Sequence, residues 1–144
     1  MFRDAPAGYD RETLIVAYLR HIAENTAADF WAWEAVGEIA RGPSAEDAWD
    51  LVVTLVRRAP EEQLGLIGAG PLEDMINKHG AEIVEWIEGE CQRDPRFKDA
   101  LGRIWLTSGD LPAEVEAKMV AASGGRIEIL SGDEVPEDGS RPDT

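Results

Sequence analysis

Apolar residues recur at three- and four-residue intervals from Leu14 to about Val120, and the interruptions fall at Gly42-Pro43, Pro60, Gly70-Pro71, Gly80, Pro95 and Pro112. Side chains three and four apart share one face of a helix, so this spacing specifies amphipathic helices. One short segment, RIEIL at Arg126 to Leu130, reads instead as an edge strand or a docking extension. The chain is therefore predicted to be all-α, with seven to eight short helices packed as helical hairpins in a short right-handed stack of the HEAT or TPR kind.

Each predicted boundary has a local cause. Asp10 is placed to cap a helix over about Arg11 to Asn25, and Gly42-Pro43 ends a second over about Ala27 to Arg41. Ser44, with Asp47 three residues on, caps a third over about Ala45 to Arg58, whose wide apolar circumference predicts a central position. Pro60 opens a short fourth helix, Pro71 a fifth that ends at His79-Gly80, and Ala81 to Arg93 form a sixth. Pro95 opens a seventh, carrying Phe97, Leu101 and Ile104, and Pro112 opens an eighth that ends near Ser123. The domain plan is an N-terminal arm over 1–9, one helical domain over 10–123, the extension over 124–130 and a disordered acidic tail over 131–144.

Shifting the third helix by 35 residues sets Trp49 on Val84, Val52 on Ile87, Val56 on Cys91 and Pro60 on Pro95. Apolar positions fall on apolar positions, as in arrays of helical hairpins.

Charge narrows the classes of partner. The 144 residues carry a formal net charge of −15, which repels phosphate backbones and attracts a basic protein or peptide. No apolar run approaches the roughly 20 residues of a membrane span, and MFRDAPAGYD has no signal-peptide core, so a cytoplasmic setting is expected. Cys91 is the only cysteine and is read as a buried, inert thiol. His21 and His79 stand in no metal-binding spacing, each reads as a surface or helix-end residue, and no metal or cofactor is expected.

IGAGPLEDM, Ile67 to Met75, invites three readings. A dinucleotide loop would need a third glycine where Glu73 stands, and a phosphate loop would need Lys followed by Ser or Thr. A corner accounts for every residue: Gly70 ends one helix, Pro71 opens the next, and Glu73 and Asp74 face the positive end of its dipole. As an acid–base pair, Glu73 and Asp74 diverge by about 100° on a helix and would need a third group such as Glu34 or His79.

The second helix carries the candidate binding surface. A helical wheel sets Trp33, Val36, Gly37 and Ala40 inward with Phe30 at the edge, leaving Trp31, Glu34 and Glu38 outward. A tryptophan beside two carboxylates suits an arginine or lysine, by ring-face attraction and ion pairing. Trp31 equally suits packing against a neighbouring helix. The candidate partner-binding residues are Trp31, Glu34, Glu38, Glu73 and Asp74, whereas Trp49, Trp86 and Trp105 read as core.

FWAWEAV at Phe30 to Val36, GAGPLED at Gly68 to Asp74 and IWLTSGDLP at Ile104 to Pro112, together with RRAP and DPRF, resemble a family of small bacterial proteins catalogued as a domain of unknown function. The resemblance runs over about Phe30 to Val120 and implies an all-helical bacterial domain. It supplies no activity or site residue. The residues themselves favour a non-catalytic interaction module for a basic partner, monomeric or weakly homo-oligomeric, with an immunity or antitoxin protein as one concrete form. The alternatives are a small enzyme with a carboxylate and histidine pocket between helices, and a structural subunit of an oligomer.

Overall fold

The computed structural model describes residues 5–131, so the tail predicted over 131–144 lies outside the described residues from 132 onward. The chain is mostly helical. Helix α1 (Arg11–Glu24) begins where the Asp10 carboxylate accepts the Thr13 N–H at 2.8 Å, and it stops at Asn25 in the left-handed conformation, φ 53°. A 3-10 turn at Ala27–Asp29 leads into α2 (Phe30–Ala40), and Ser44 Oγ starts α3 (Ala45–Arg58) by accepting the Asp47 N–H at 3.1 Å. The carbonyls of Val56 and Ala59 at the other end of α3 receive the Arg96 guanidinium, which covers acceptors that a helix end otherwise leaves to water.

After Pro60 come a 3-10 turn (Glu61–Gln63) and α4 (Leu64–Ile67), and then the corner. Gly68–Leu72 widens into a π-type turn with a kink at Gly70, φ −106° and ψ −105°. Pro71 has no N–H to give the preceding turn, so the helical ladder cannot pass through unbroken. Beyond it α5 (Glu73–Arg93) runs for 21 residues, with Glu73 and Asp74 in its first turn.

Two of the predicted helices are therefore one, because Gly80 does not end a helix. A Cβ at Gly80 would stand 2.8 Å from Leu111 Cδ2, and the glycine is there to admit that side chain. His79 is likewise no surface residue: it is buried, with Nε2 2.8 Å from the Gly42 carbonyl oxygen. Asp94 caps α6 (Pro95–Leu101), accepting the Arg96 N–H at 2.9 Å, and Ile104 lies beyond that helix. A strand β1 (Trp105–Thr107), α7 (Ala113–Ala122) and a strand β2 (Glu128–Leu130) complete the fold. The strands pair in parallel, with Trp105 opposite Glu128 and α7 in the crossover, so RIEIL contributes an edge strand.

The core is continuous along the chain: α1 packs on α2, α2 on α3, α3 on α5 and α6, and α5 on α7. Leu51, Val52, Leu55 and Val56 make α3 the central helix, as its apolar circumference predicts. Glu90 on α5 is buried beneath two guanidiniums, Arg57 at 2.9 Å and Arg93 at 3.1 Å, a pairing that ties α3 to α5. Cys91 is buried as expected, and burial pushes its thiol up to about 11. Pro60 and Pro95, related by the 35-residue shift, each follow a long helix and open a short helical stretch, although the fusion in α5 makes the flanking elements unequal.

Candidate functional site

The buried face of α2 is its alanine face. Ala32, Ala35 and Ala40 join Trp31 and Val36 in the core, so the helix is rotated by about 100° from the predicted orientation, one residue of helical advance. Trp31 is 3% exposed and packs against the Tyr9 ring at 4.7 Å, out of reach of any partner. Trp33 and Phe30 are outward instead, 51% and 46% exposed, and their rings stack at 5.4 Å with an interplanar angle of 19°. His21 from α1 meets Phe30 edge-on at 5.8 Å. Glu34 and Glu38 belong to the outward side as predicted, and their carboxylates make no ion pair or hydrogen bond with a described residue.

The corner adjoins this face. Tyr18, Trp33, Val36, Gly37, Arg41, Gly70, Pro71 and Asp74 enclose a small cavity of about 50 Å³. Gly37 lets Arg41 fold back along α2, since a Cβ there would meet its guanidinium at 3.0 Å, and Arg41 Nη1 reaches Asp74 Oδ2 at 2.9 Å. Burial, reinforced by the Asp74 carboxylate, raises the Tyr18 ionisation well above its ordinary value, so the phenol stays protonated.

Of the predicted residues, Asp74 therefore comes to the α2 face beside Trp33. Glu73 does not: its Oε1 accepts the Trp105 N–H at 2.8 Å and fastens β1 to α5. The groups considered for acid–base chemistry make no hydrogen bond to one another: Glu73 is engaged with Trp105, Asp74 with Arg41 and His79 with the Gly42 carbonyl, and Glu34 lies on the outward side of α2. Among the described residues, no group of three or more His, Cys, Asp or Glu side chains is disposed to hold a metal ion, and no helix is long and apolar enough to cross a membrane.

A second surface was missed by the sequence reading. Glu46 and Trp49 of α3 and Glu85, Trp86, Gly89 and Arg93 of α5 line an open cleft of about 440 Å³. Trp86 is 37% exposed rather than core, Trp49 and Trp105 are half-buried, and the rings of Trp49 and Trp86 lie 5.7 Å apart at 60°. The legible signal was the company Trp86 keeps on its helix: Glu85 stands beside it and Glu82 and Gly89 one turn away, a setting for a rim and not for a core.

The chain belongs to a family described as Family of unknown function (DUF6869), whose model matches residues 20–124. That span holds α2, the corner, the cleft between α3 and α5, and all three of the longer quoted motifs. No curated protein and no solved structure matches the chain.

Proposed function

We propose that this protein is a non-catalytic, acidic interaction module, and that the outer face of α2 with the corner beside it receives a basic protein partner. The observation that carries this reading is the stacked, half-exposed Phe30–Trp33 pair flanked by the unpaired carboxylates of Glu34 and Glu38. A stacked aromatic pair offers apolar area with little rotamer entropy left to lose, and its ring faces attract a guanidinium or ammonium. The carboxylates supply the pairing charge, and the net charge of −15 steers a cationic partner toward the protein.

The disposition of the arginines supports the same reading. Every arginine among the described residues is engaged within the chain: Arg11 with Asp50, Arg20 with Asp29, Arg41 with Asp74, Arg57 and Arg93 with Glu90, Arg58 with Glu12, Arg103 and Arg126 with Asp99, and Arg96 with carbonyls. Arginines tied down in this way offer little to an anionic partner; Lys78, Lys98 and Lys118 are exposed without an ion pair to a described residue, but carboxylates make up most of the uncommitted surface charge. In this reading the protein acts in the bacterial cytoplasm as a monomer or weak homo-oligomer, α1 and α2 form the first hairpin of a short helical stack, and blockade of a basic toxin is one concrete form of the activity.

The test compares wild type with Trp33→Ala/Glu34→Lys/Glu38→Lys in affinity capture from the source cell's lysate, followed by direct titration of the retained protein. A basic, salt-sensitive partner is expected, with affinity reduced at least thirtyfold in the variant, the scale of about 2 kcal/mol that a hot-spot aromatic contributes. Equal affinity for both proteins would remove the α2 face from the reading.

A further inference from the structure

We propose that the cleft between α3 and α5 is a second, separate binding site, and that its ligand is an arginine side chain of a basic protein. It shares no residue with the α2 face and stands on its own geometry.

Its two walls differ in how they are held. Trp49 is half-buried and backed by the fully buried Phe97 at 5.6 Å, which fixes that ring before any ligand arrives. Trp86 opposite it remains 37% exposed, an apolar surface left in water at the mouth of a concave site. With centroids 5.7 Å apart and planes at 60°, the two rings pack on each other, and a cation bound against the pair meets indole surface that both contribute. A volume of about 440 Å³ leaves room for a long side chain to lie in the open cleft.

Charge selects the occupant. The carboxylates of Glu46 and Glu85 line the cleft and make no ion pair with any described residue. The positive group present, Arg93, shares the buried Glu90 with Arg57, and the two free carboxylates of Glu46 and Glu85 outweigh the single positive charge that this triad leaves over. Gly89 lets the Arg93 guanidinium lie close along α5 at the edge of the cleft, since an added Cβ would stand 3.3 Å from Nη1. Guanidinium rather than ammonium follows from the walls: a flat, weakly hydrated cation stacks on indole while its edge bonds a carboxylate, and a compact ammonium gives up more hydration to do so.

The experiment titrates the full chain with an acetylated penta-arginine amide and, in parallel, with its neutral penta-citrulline counterpart, following the assigned indole N–H signals by NMR. Saturable shifts at Trp49 and Trp86 with the arginine peptide alone are expected. Trp86→Ala should weaken binding by roughly two- to thirtyfold, the range of cation–π contributions, and Glu46→Gln/Glu85→Gln should weaken it while leaving the fold and both rings in place. The double glutamine variant carries the test should Trp86→Ala fail to fold. The proposal is overturned by shifts confined to Trp33, which would leave the α2 face standing alone, by equal response to the citrulline peptide, by glutamine variants that bind as wild type does, or by no shift at millimolar peptide.

Discussion

Replacing Gly68 with alanine sets a methyl carbon 2.3 Å from the Ala100 carbonyl oxygen and 3.1 Å from Arg103 Cβ, where ordinary contact begins at 3.4 Å. The corner must then withdraw about 1 Å from α6, because the obstructing oxygen belongs to helix backbone and has no rotamer to turn away. Ile67, Leu72, Phe97 and Leu101 fill that interface without solvent exposure. A radial gap of about 0.5–1 Å forfeits a quarter to a half of each dispersion contact, and overpacking of this kind costs roughly 1–3 kcal/mol. A rigid obstacle puts this case at about 3 kcal/mol, while exchanging glycine for alanine in a helical segment returns about 1 kcal/mol. The net loss is about 2 kcal/mol, a fall in Tm of roughly 8 °C for a chain of this size. Gly65→Ala is the matched control, since its new Cβ would meet the flexible tip of Arg103 at 3.2 Å, so it should leave stability unchanged or raise it slightly. Thermal and urea unfolding of both variants measure the difference. Equal midpoints for Gly68→Ala and Gly65→Ala would refute the claim that close approach to α6 is what requires glycine at the corner.

Two further outcomes follow from perturbed ionisations. The Arg20 guanidinium, assisted by the Thr26 hydroxyl, holds the Asp29 carboxyl at about 2 against an ordinary 3.8. A depressed carboxylate stabilises the fold fully above the unfolded value and loses that contribution as pH falls toward the folded one. Asp29→Asn should therefore be less stable than wild type by about 1.5 kcal/mol at pH 7, after discounting for the exposed Arg20, and the gap should close between about pH 4 and 2. A gap that is constant with pH would mean that Asp29 acts through shape alone. For Cys91, burial pushes the thiol up to about 11, so native protein at pH 8 should react with an aromatic disulfide at least about a hundredfold more slowly than the urea-unfolded chain. Complete native labelling within minutes would show that the α5 end opens readily.

What the sequence made legible was the local chemistry of helix ends. Asp10, Ser44 and Asp94 each cap a helix through their own side chains, a contact settled within three residues of chain, and the predicted starts at Arg11, Ala45 and Pro95 coincide with the observed ones. Gly80 failed as punctuation because glycine has two uses: it frees the backbone at a helix end, or it removes a Cβ from the path of another element. His79-Gly80 looks like the first from the chain and is the second in space, and Leu111, about thirty residues away, decides between them. No local pattern contains that information.

The rotation of α2 has the same origin and larger consequences. The wheel ranks faces by the size of their apolar residues, so it buries Trp33 and exposes the side that carries Ala32 and Ala35. Packing ranks faces by how closely two helices can approach, and a run of alanines lets α2 settle against both α1 and α3, with Trp31 filling the space left beside Tyr9. A large aromatic gains about 25 cal/mol for each Å² removed from water, but that gain is available on whichever face the backbone can bring near a neighbour. Once the alanines fix that face, Phe30 and Trp33 are carried outward as a pair, and the carboxylates of Glu34 and Glu38 acquire an aromatic neighbour other than the predicted one. The acidic, aromatic character of the surface was thus readable from composition, whereas the identity of its tryptophan depended on backbone contact distances that the linear pattern does not encode.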